Sequence, residues 1–189
     1  MTTPSLDGVT VAILATNGFE QSELVGPKTN LEAAGATVHV VSPESGEIKG
    51  WDEKDWGDTV PVDRALTDAS VDDYALLLLP GGQINPDVLR MNDDAVAFVT
   101  AFAEAGKPVA AICHAPWLLV EAGLVRGRTV TSWPSVSTDL TNAGAEWVDR
   151  EVVVDDGAAP TLITSRNPGD IPAFSRAVVE TLAAVTSAS

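Results

Sequence analysis

Apolar residues are concentrated in four short runs, each ended by turn residues. The runs are Val9 to Ala15, Thr37 to Val41, Tyr74 to Leu79 and Val109 to Ile112. Continuous apolar runs of this length are typical of strands buried on both faces of a parallel sheet. Helical segments lie between them, one ended by Gly35 and another predicted over 93–105. The alternation predicts an α/β fold, in which helices cover both faces of a mostly parallel sheet.

The remaining segments predict a hairpin outside this sheet, further strands and a last helix. Glycines and Pro61 divide the stretch from Glu44 to Asp63 into short pieces, which predicts a hairpin outside the main sheet. Asp170 is expected to cap a last helix from Ile171 to Val185. No linker or repeat interrupts the pattern, so one domain is predicted over residues 1–189. Further strands are predicted at 129–131, 147–148, 152–154 and 161–164.

Unusual residues follow three of the predicted strands. They are Asn17 to Glu20, the pair Gly81-Gly82, and the pair Cys113-His114, which contains the chain's single cysteine. Ligand sites of such sheets lie at the carboxyl ends of the strands, so these residues are expected to converge. Pro116 then begins a helix, which places Cys113 at a sharp strand-to-helix turn. This is the cysteine counterpart of a nucleophile elbow, where helix dipole and backbone N–H groups favour a thiolate.

Composition narrows the range of functions. A formal net charge of −16 disfavours a nucleic-acid partner, because phosphates would be repelled. One cysteine permits no internal disulfide and suits a reducing compartment, and we expect a cytoplasmic protein. No apolar run approaches a membrane span, and no signal peptide is visible. Neither a zinc-ligand spacing nor a phosphate-binding loop is present, so no metal or cofactor is predicted.

The motifs jointly resemble the PfpI-type intracellular protease family. That family belongs to the superfamily of the parkinsonism-associated protein and the glutamine amidotransferase-like fold. The likeness extends from about Val9 to about Leu182 and implies a flavodoxin-like three-layer sandwich. The matching segments are Asn17–Leu24, Leu79–Gly82, Pro86–Arg90, Gly106–Pro116, Asn142–Glu146, Glu151–Asp155 and Ile163–Pro168.

The resemblance also implies roles for individual residues. Cys113 is the expected nucleophile, and the carboxyl matched to Glu20 is expected to be protonated and to hydrogen-bond the thiol. His114 is either a general acid or base, or contributes only its backbone N–H. Gly81 and Gly82 are expected to supply amides for an oxyanion. Asp87 matches a carboxylate that, in the family, reaches the histidine of a neighbouring subunit, which implies a homodimer or a larger assembly.

These expectations leave two functional classes open. The first is a stress-protection enzyme whose thiolate attacks carbonyl adducts of the glyoxal type or small amide and peptide bonds. Its substrate would be a small molecule or an adduct on a protein. The second is an oxidative-stress sensor or chaperone without turnover, in which Cys113 is oxidised. A general protease is a weaker third reading, since no extended peptide cleft is visible in the sequence.

Overall fold

The computed structural model describes residues 4–187 of the chain. Twelve strands lie within these residues: β1 (Thr10–Leu14), β2 (Phe19–Glu20), β3 (Thr37–Ser42), β4 (Glu47–Asp52), β5 (Asp55–Pro61), β6 (Arg64–Ala65), β7 (Leu76–Leu79), β8 (Val109–Ile112), β9 (Thr129–Val130), β10 (Glu146–Trp147), β11 (Val152–Asp155) and β12 (Leu162–Ser165). Six α-helices are described with them: α1 (Gln21–Ala33), α2 (Ile84–Leu89), α3 (Asp93–Glu104), α4 (Pro116–Glu121), α5 (Ser137–Asn142) and α6 (Ile171–Ser187).

Seven of the strands form the central sheet, in the order β11-β12-β8-β7-β1-β3-β6. Every neighbouring pair is parallel except β11 and β12. Alternate residues of β1 face opposite sides: Val11 and Ile13 pack in the cluster that contains residues of α1 and α6. Ala12 and Leu14 belong to the other cluster, with residues of α3, α4 and α5. The predicted three-layer α/β sandwich with a mostly parallel sheet is therefore confirmed.

The predicted hairpin is also present outside this sheet. Strands β4 and β5 pair antiparallel, and β2 adds to β4 in parallel to give a three-stranded sheet. Trp51 and Trp56 meet edge to face across the hairpin, with ring centroids 5.5 Å apart. The hairpin thus attaches directly to the segment that enters α1. By contrast, the strands predicted near 130 and 147 pair only with each other, as β9 and β10.

Asp170 does not cap the last helix as its position suggested. Both of its carboxylate oxygens accept hydrogen bonds from the guanidinium of Arg166, at 2.8 and 3.0 Å. The residues before α6 form a short 3-10 helix, Pro168–Asp170, whose cap is Asn167. Competition from a bidentate arginine contact therefore replaces the predicted cap. Among residues 4–187, no helix has the length and hydropathy needed to cross a membrane.

Candidate active site

Cys113 lies at the turn between β8 and α4, in a strained backbone conformation. Its φ is +66°, a value that side chains other than glycine rarely adopt. Two backbone hydrogen bonds hold it there: its N–H donates to Ser165 at 3.0 Å, and its carbonyl accepts from Trp133 at 2.8 Å. Such strain persists only where the surroundings impose it, and it is common at active sites. The strand, turn and helix predicted around the cysteine are all present.

The carboxyl beside this cysteine belongs to Glu23, and the prediction of Glu20 for that contact is wrong. Glu23 is fully buried in the first turn of α1, and its Oε2 accepts a hydrogen bond of 2.9 Å from the Gly81 N–H. Its side chain also interacts with the Cys113 thiol. Glu20 is partly exposed instead, and its carboxyl accepts from the Ser22 hydroxyl at 3.2 Å. Glu20 precedes the helix, whereas Glu23 is one turn further and directed inward.

Positions 81 and 82 require glycine, because neighbouring atoms approach the backbone there too closely to leave room for a Cβ. A Cβ on Gly81 would lie 2.4 Å from Glu23 Oε2 and 2.6 Å from Cys113 Cβ, so the carboxyl and the cysteine flank one glycine. Gly82 has a φ of +79°, and a Cβ there would lie 2.6 Å from the backbone of Gly18. The Gly81 N–H is already bonded to Glu23, which removes it from the expected oxyanion donors. The Gly82 N–H interacts both with Cys113 and with the Glu23 carboxyl.

Burial shapes the titration of the carboxyl and the thiol. It raises the pKa of Glu23 from 4.5 to about 8, so the carboxyl is mostly protonated at neutral pH. Burial also raises the pKa of the Cys113 thiol, and a charged Glu23 raises it further. Hydrogen bonds from the N–H groups of Gly82 and His114 lower it. The expectation of a thiolate at rest is therefore opposed by burial, since Cys113 is only 6% exposed. Two negative charges this close are disfavoured, so a thiolate is favoured only while Glu23 is protonated.

His114 contacts the cysteine that precedes it. Its Nδ1 lies 3.2 Å from the Cys113 Sγ, although adjacent side chains usually point apart. The ring lies between two indoles: it stacks on Trp133 with centroids 5.8 Å apart and contacts Trp117 at 5.1 Å. Burial lowers the pKa of His114, which keeps the ring neutral at pH 7. A neutral imidazole at this distance is able to accept the thiol proton.

Asp87 does not meet His114 within one chain. Its carboxylate pairs with Arg90 at 2.9 Å, and the Arg90 guanidinium lies 4.9 Å above the Trp117 ring. Asp87 and Trp117 also line an open pocket of about 290 Å³, together with Gln83, Ile84 and Val88. Trp117 contacts the His114 ring, so one indole separates this pocket from the histidine, and neither His114 nor Cys113 lines it. The contact across a subunit boundary that the resemblance implied stays a prediction.

Sequence reasoning missed Glu23, although a signal for it existed. Glu23, Pro27 and Leu31 recur at helical spacing and are all buried. An acidic residue on the apolar face of a helix is rarely placed there unless it is paired or functional. No grouping of three or more His, Cys, Asp or Glu side chains within the described part of the chain is able to hold a metal ion.

The fold and the site together define a class of protein. It is an α/β sandwich with a strained cysteine at a strand-to-helix turn, a buried protonated carboxyl and an adjacent histidine. The family model described as the DJ-1/PfpI family matches residues 9–181. The chain therefore belongs to the DJ-1/PfpI family.

Individual relatives agree with this assignment. The chain is 42% identical over 172 residues to a deglycase of Thermococcus kodakarensis, covering 91% of this chain and 98% of the relative. It is 42% identical over 170 residues to general stress protein 18 of Bacillus subtilis, covering 89% and 95%. A two-domain protein of Anabaena variabilis with DJ-1/ThiJ/PfpI-like and ferritin-like domains superposes with a TM-score of 0.84 at 36% identity. That superposition covers 92% of this chain and 48% of the other, so the chain spans about half of that protein.

Proposed function

We propose that this protein is a cysteine-dependent hydrolase of stress protection, acting on glyoxal-type carbonyl adducts or on small amide and peptide bonds. The observation that carries the proposal is the position of the Cys113 sulfur. It is held at a strained turn, beside the buried Glu23 carboxyl and 3.2 Å from His114 Nδ1. The deglycase named among the relatives acts as further support.

The arrangement suits a thiol that loses its proton as it attacks. His114 Nδ1 accepts that proton while Sγ forms a bond to the substrate carbon, and the carbonyl electrons move to oxygen. The N–H groups of Gly82 and His114 stabilise this oxyanion. With an amide or peptide substrate, the C–N bond then breaks, the amine leaves with the proton from His114, and water hydrolyses the resulting thioester to the acid and the free thiol. Glu23 keeps its own proton and donates toward the sulfur, so no second charge opposes the thiolate.

The setting of the reaction follows from charge and exposure. We propose a small-molecule or protein-adduct substrate rather than nucleic acid, because the net charge of −16 repels phosphate. A single cysteine suits the cytoplasm.

We also propose a homodimer, supported by the exposed apolar side chains Ile84, Val88 and Met91 on and after α2. In such a dimer Asp87 would have access to the partner's His114, and light scattering measures the assembly.

The direct test is turnover by cysteine and carboxyl variants. We expect C113A to abolish hydrolysis of methylglyoxal adducts of N-acetyl amino acids, and of small chromogenic amides. E23Q should lower kcat by at least tenfold, because an amide N–H donates a weaker hydrogen bond to the developing thiolate than a carboxylic acid O–H does. E20Q is the matched control, since Glu20 bonds Ser22 and not the thiol. Full activity of C113A would show that the catalytic assignment is wrong.

A second function is favoured by one further observation. Glu23 Oε1 is buried and has no hydrogen-bond partner among the described residues. A protonated carboxyl in that position is able to donate to an oxygen of a sulfinate formed on Cys113, which would favour redox sensing. Peroxide treatment followed by mass spectrometry separates the two functions. Selective oxidation of Cys113 without any turnover would support the sensor.

A further inference from the structure

Asn85 is buried between two loops of the site, although no catalytic step uses it. The side chain lies in α2 and is 1% exposed. Its Oδ1 accepts a hydrogen bond of 2.8 Å from the Thr16 N–H, in the loop after β1. Its Nδ2 donates to two carbonyls of the loop after β7, Pro80 at 2.9 Å and Gly81 at 3.3 Å. One amide therefore joins the carboxyl ends of two neighbouring strands.

The second of these carbonyls belongs to the peptide unit that faces the cysteine. The Gly81 carbonyl accepts from Asn85 and also from the Glu20 N–H, at 3.2 Å. This peptide is trans, so its N–H, contributed by Gly82, points away from that carbonyl. On that side the Gly82 N–H interacts with the Cys113 sulfur and with the Glu23 carboxyl, and Cys113 packs directly against Gly81, where a Cβ would lie 2.6 Å from the Cys113 Cβ. The two hydrogen bonds on the carbonyl therefore determine where the Gly82 N–H points.

Glycine makes this orientation dependent on outside support. Without a Cβ, the Gly81-Gly82 segment has access to more backbone conformations than any other residue pair. The close neighbours of both glycines forbid a larger residue that would restrict the peptide. The restriction has to come from hydrogen bonds, and Asn85 is a side chain that supplies one.

We propose that Asn85 is a positioning residue, which orients the Gly81-Gly82 peptide so that its N–H meets negative charge at the Cys113 sulfur or on the substrate oxygen. The proposal rests on the thiol chemistry proposed above. Asn85 itself does not touch the reacting atoms. Its contribution is a preorganised donor, which needs no reorganisation when charge develops.

The test compares N85A with N92A. Asn92 also accepts a backbone hydrogen bond at a helix start, from the Ala95 N–H at 3.0 Å, so both variants lose a buried or half-buried anchor. Two readouts are measured on each: the pH dependence of alkylation by iodoacetamide, and the kinetics of hydrolysis. Cys113 is the chain's one cysteine, so all alkylation reports this thiol.

We expect N85A to move the alkylation midpoint to higher pH by at least half a unit, which is about a threefold loss of thiolate at a given pH. Its kcat should fall about tenfold, while KM changes by less than about threefold. N92A should lose thermal stability without either change. If N85A does not fold, N85S replaces it, because the shorter serine side chain leaves space for a water molecule that can bridge to the same backbone groups. The shifts in alkylation midpoint and kcat are then expected to be smaller than those predicted for N85A.

An unchanged midpoint and kcat in N85A, with only a lower melting temperature, would overturn the proposal and leave Asn85 a structural residue. Absence of turnover by the wild-type protein would count against the hydrolase instead. In that case the alkylation profile still decides the role of Asn85, so the two failures are distinguishable.

Discussion

Replacing Glu23 by glutamine should change how stability depends on pH. Burial raises the pKa of Glu23 from 4.5 to about 8 in the folded protein. A raised pKa means that the folded state holds the proton more tightly than the unfolded chain. Its contribution to stability is therefore complete below pH 4.5 and is lost as the pH rises through about 8. Glutamine keeps the acceptor for the Gly81 N–H and has no such proton.

The size of the effect follows from the same values. Between pH 5 and pH 8 the unfolded chain is ionised at Glu23 while the folded protein remains mostly protonated. Each pH unit corresponds to about 1.36 kcal/mol, so wild-type stability should fall by about 3 kcal/mol from this group alone. E23Q should therefore gain about 3 kcal/mol relative to the wild type over that range, although its activity is lower.

Urea unfolding at pH 5, 6, 7 and 8 measures this difference directly. All other titrating groups are shared by the two proteins, so they largely cancel in the comparison. E104Q is the control for changing an exposed carboxylate on α3, and it should follow the wild type at every pH. A difference between wild type and E23Q that is the same at pH 5 and pH 8 would refute the protonated, buried carboxyl.

Two further predictions concern packing around the site and the sheet. G81A should lower the free energy of unfolding by at least about 2 kcal/mol, because its Cβ would meet the Ile112 carbonyl at 2.8 Å as well as the site residues. G157A, with nothing nearer than 3.9 Å, is its control in urea unfolding, and equal stability of the two would contradict the clash. R128M should lower the free energy of unfolding by about 3–5 kcal/mol. The buried Arg128 guanidinium donates hydrogen bonds to the Asp155 carboxylate and to three backbone carbonyls, and methionine leaves all of these acceptors without a donor. K28M is the control for R128M, because the exposed ion pair between Lys28 and Glu32 should contribute less than about 1 kcal/mol. An equal loss of stability in K28M and R128M would contradict a special contribution from the buried guanidinium.

The fold could be predicted because its main signals are local. Apolar runs, glycine stops and the hairpin punctuation each depend on a few neighbouring residues, and all have their counterparts in the structure. The pairing of β9 with β10 could not be predicted, because short strands carry no information about their partner. The Asp170 cap failed for a related reason. A carboxylate near a helix start has a choice of partners, and here the guanidinium of Arg166 competes successfully.

The site was predicted down to the cysteine and its turn, but not to its carboxyl. Glu20 and Glu23 are glutamates three positions apart in one segment, so residue type alone does not distinguish them. Only the point at which α1 begins decides which of them faces the sheet. The short distance between His114 and the sulfur was likewise beyond the sequence, because it depends on the two indoles that hold the ring. Asn85 carried no signal at all, since its partners are backbone atoms of distant loops.

The ends of the central sheet restrict how copies of this protein are able to associate. One lateral strand, β6, has two residues and includes Arg64, and the other, β11, has four and ends in Asp155. Strands this short and charged present few free backbone groups for a neighbouring molecule to pair with. Growth of an open-ended β polymer is therefore disfavoured in the native state. Association of copies through the edges of the central sheet is disfavoured for the same reason, which leaves helix and loop surfaces and the β4–β5 hairpin as the available contact surfaces.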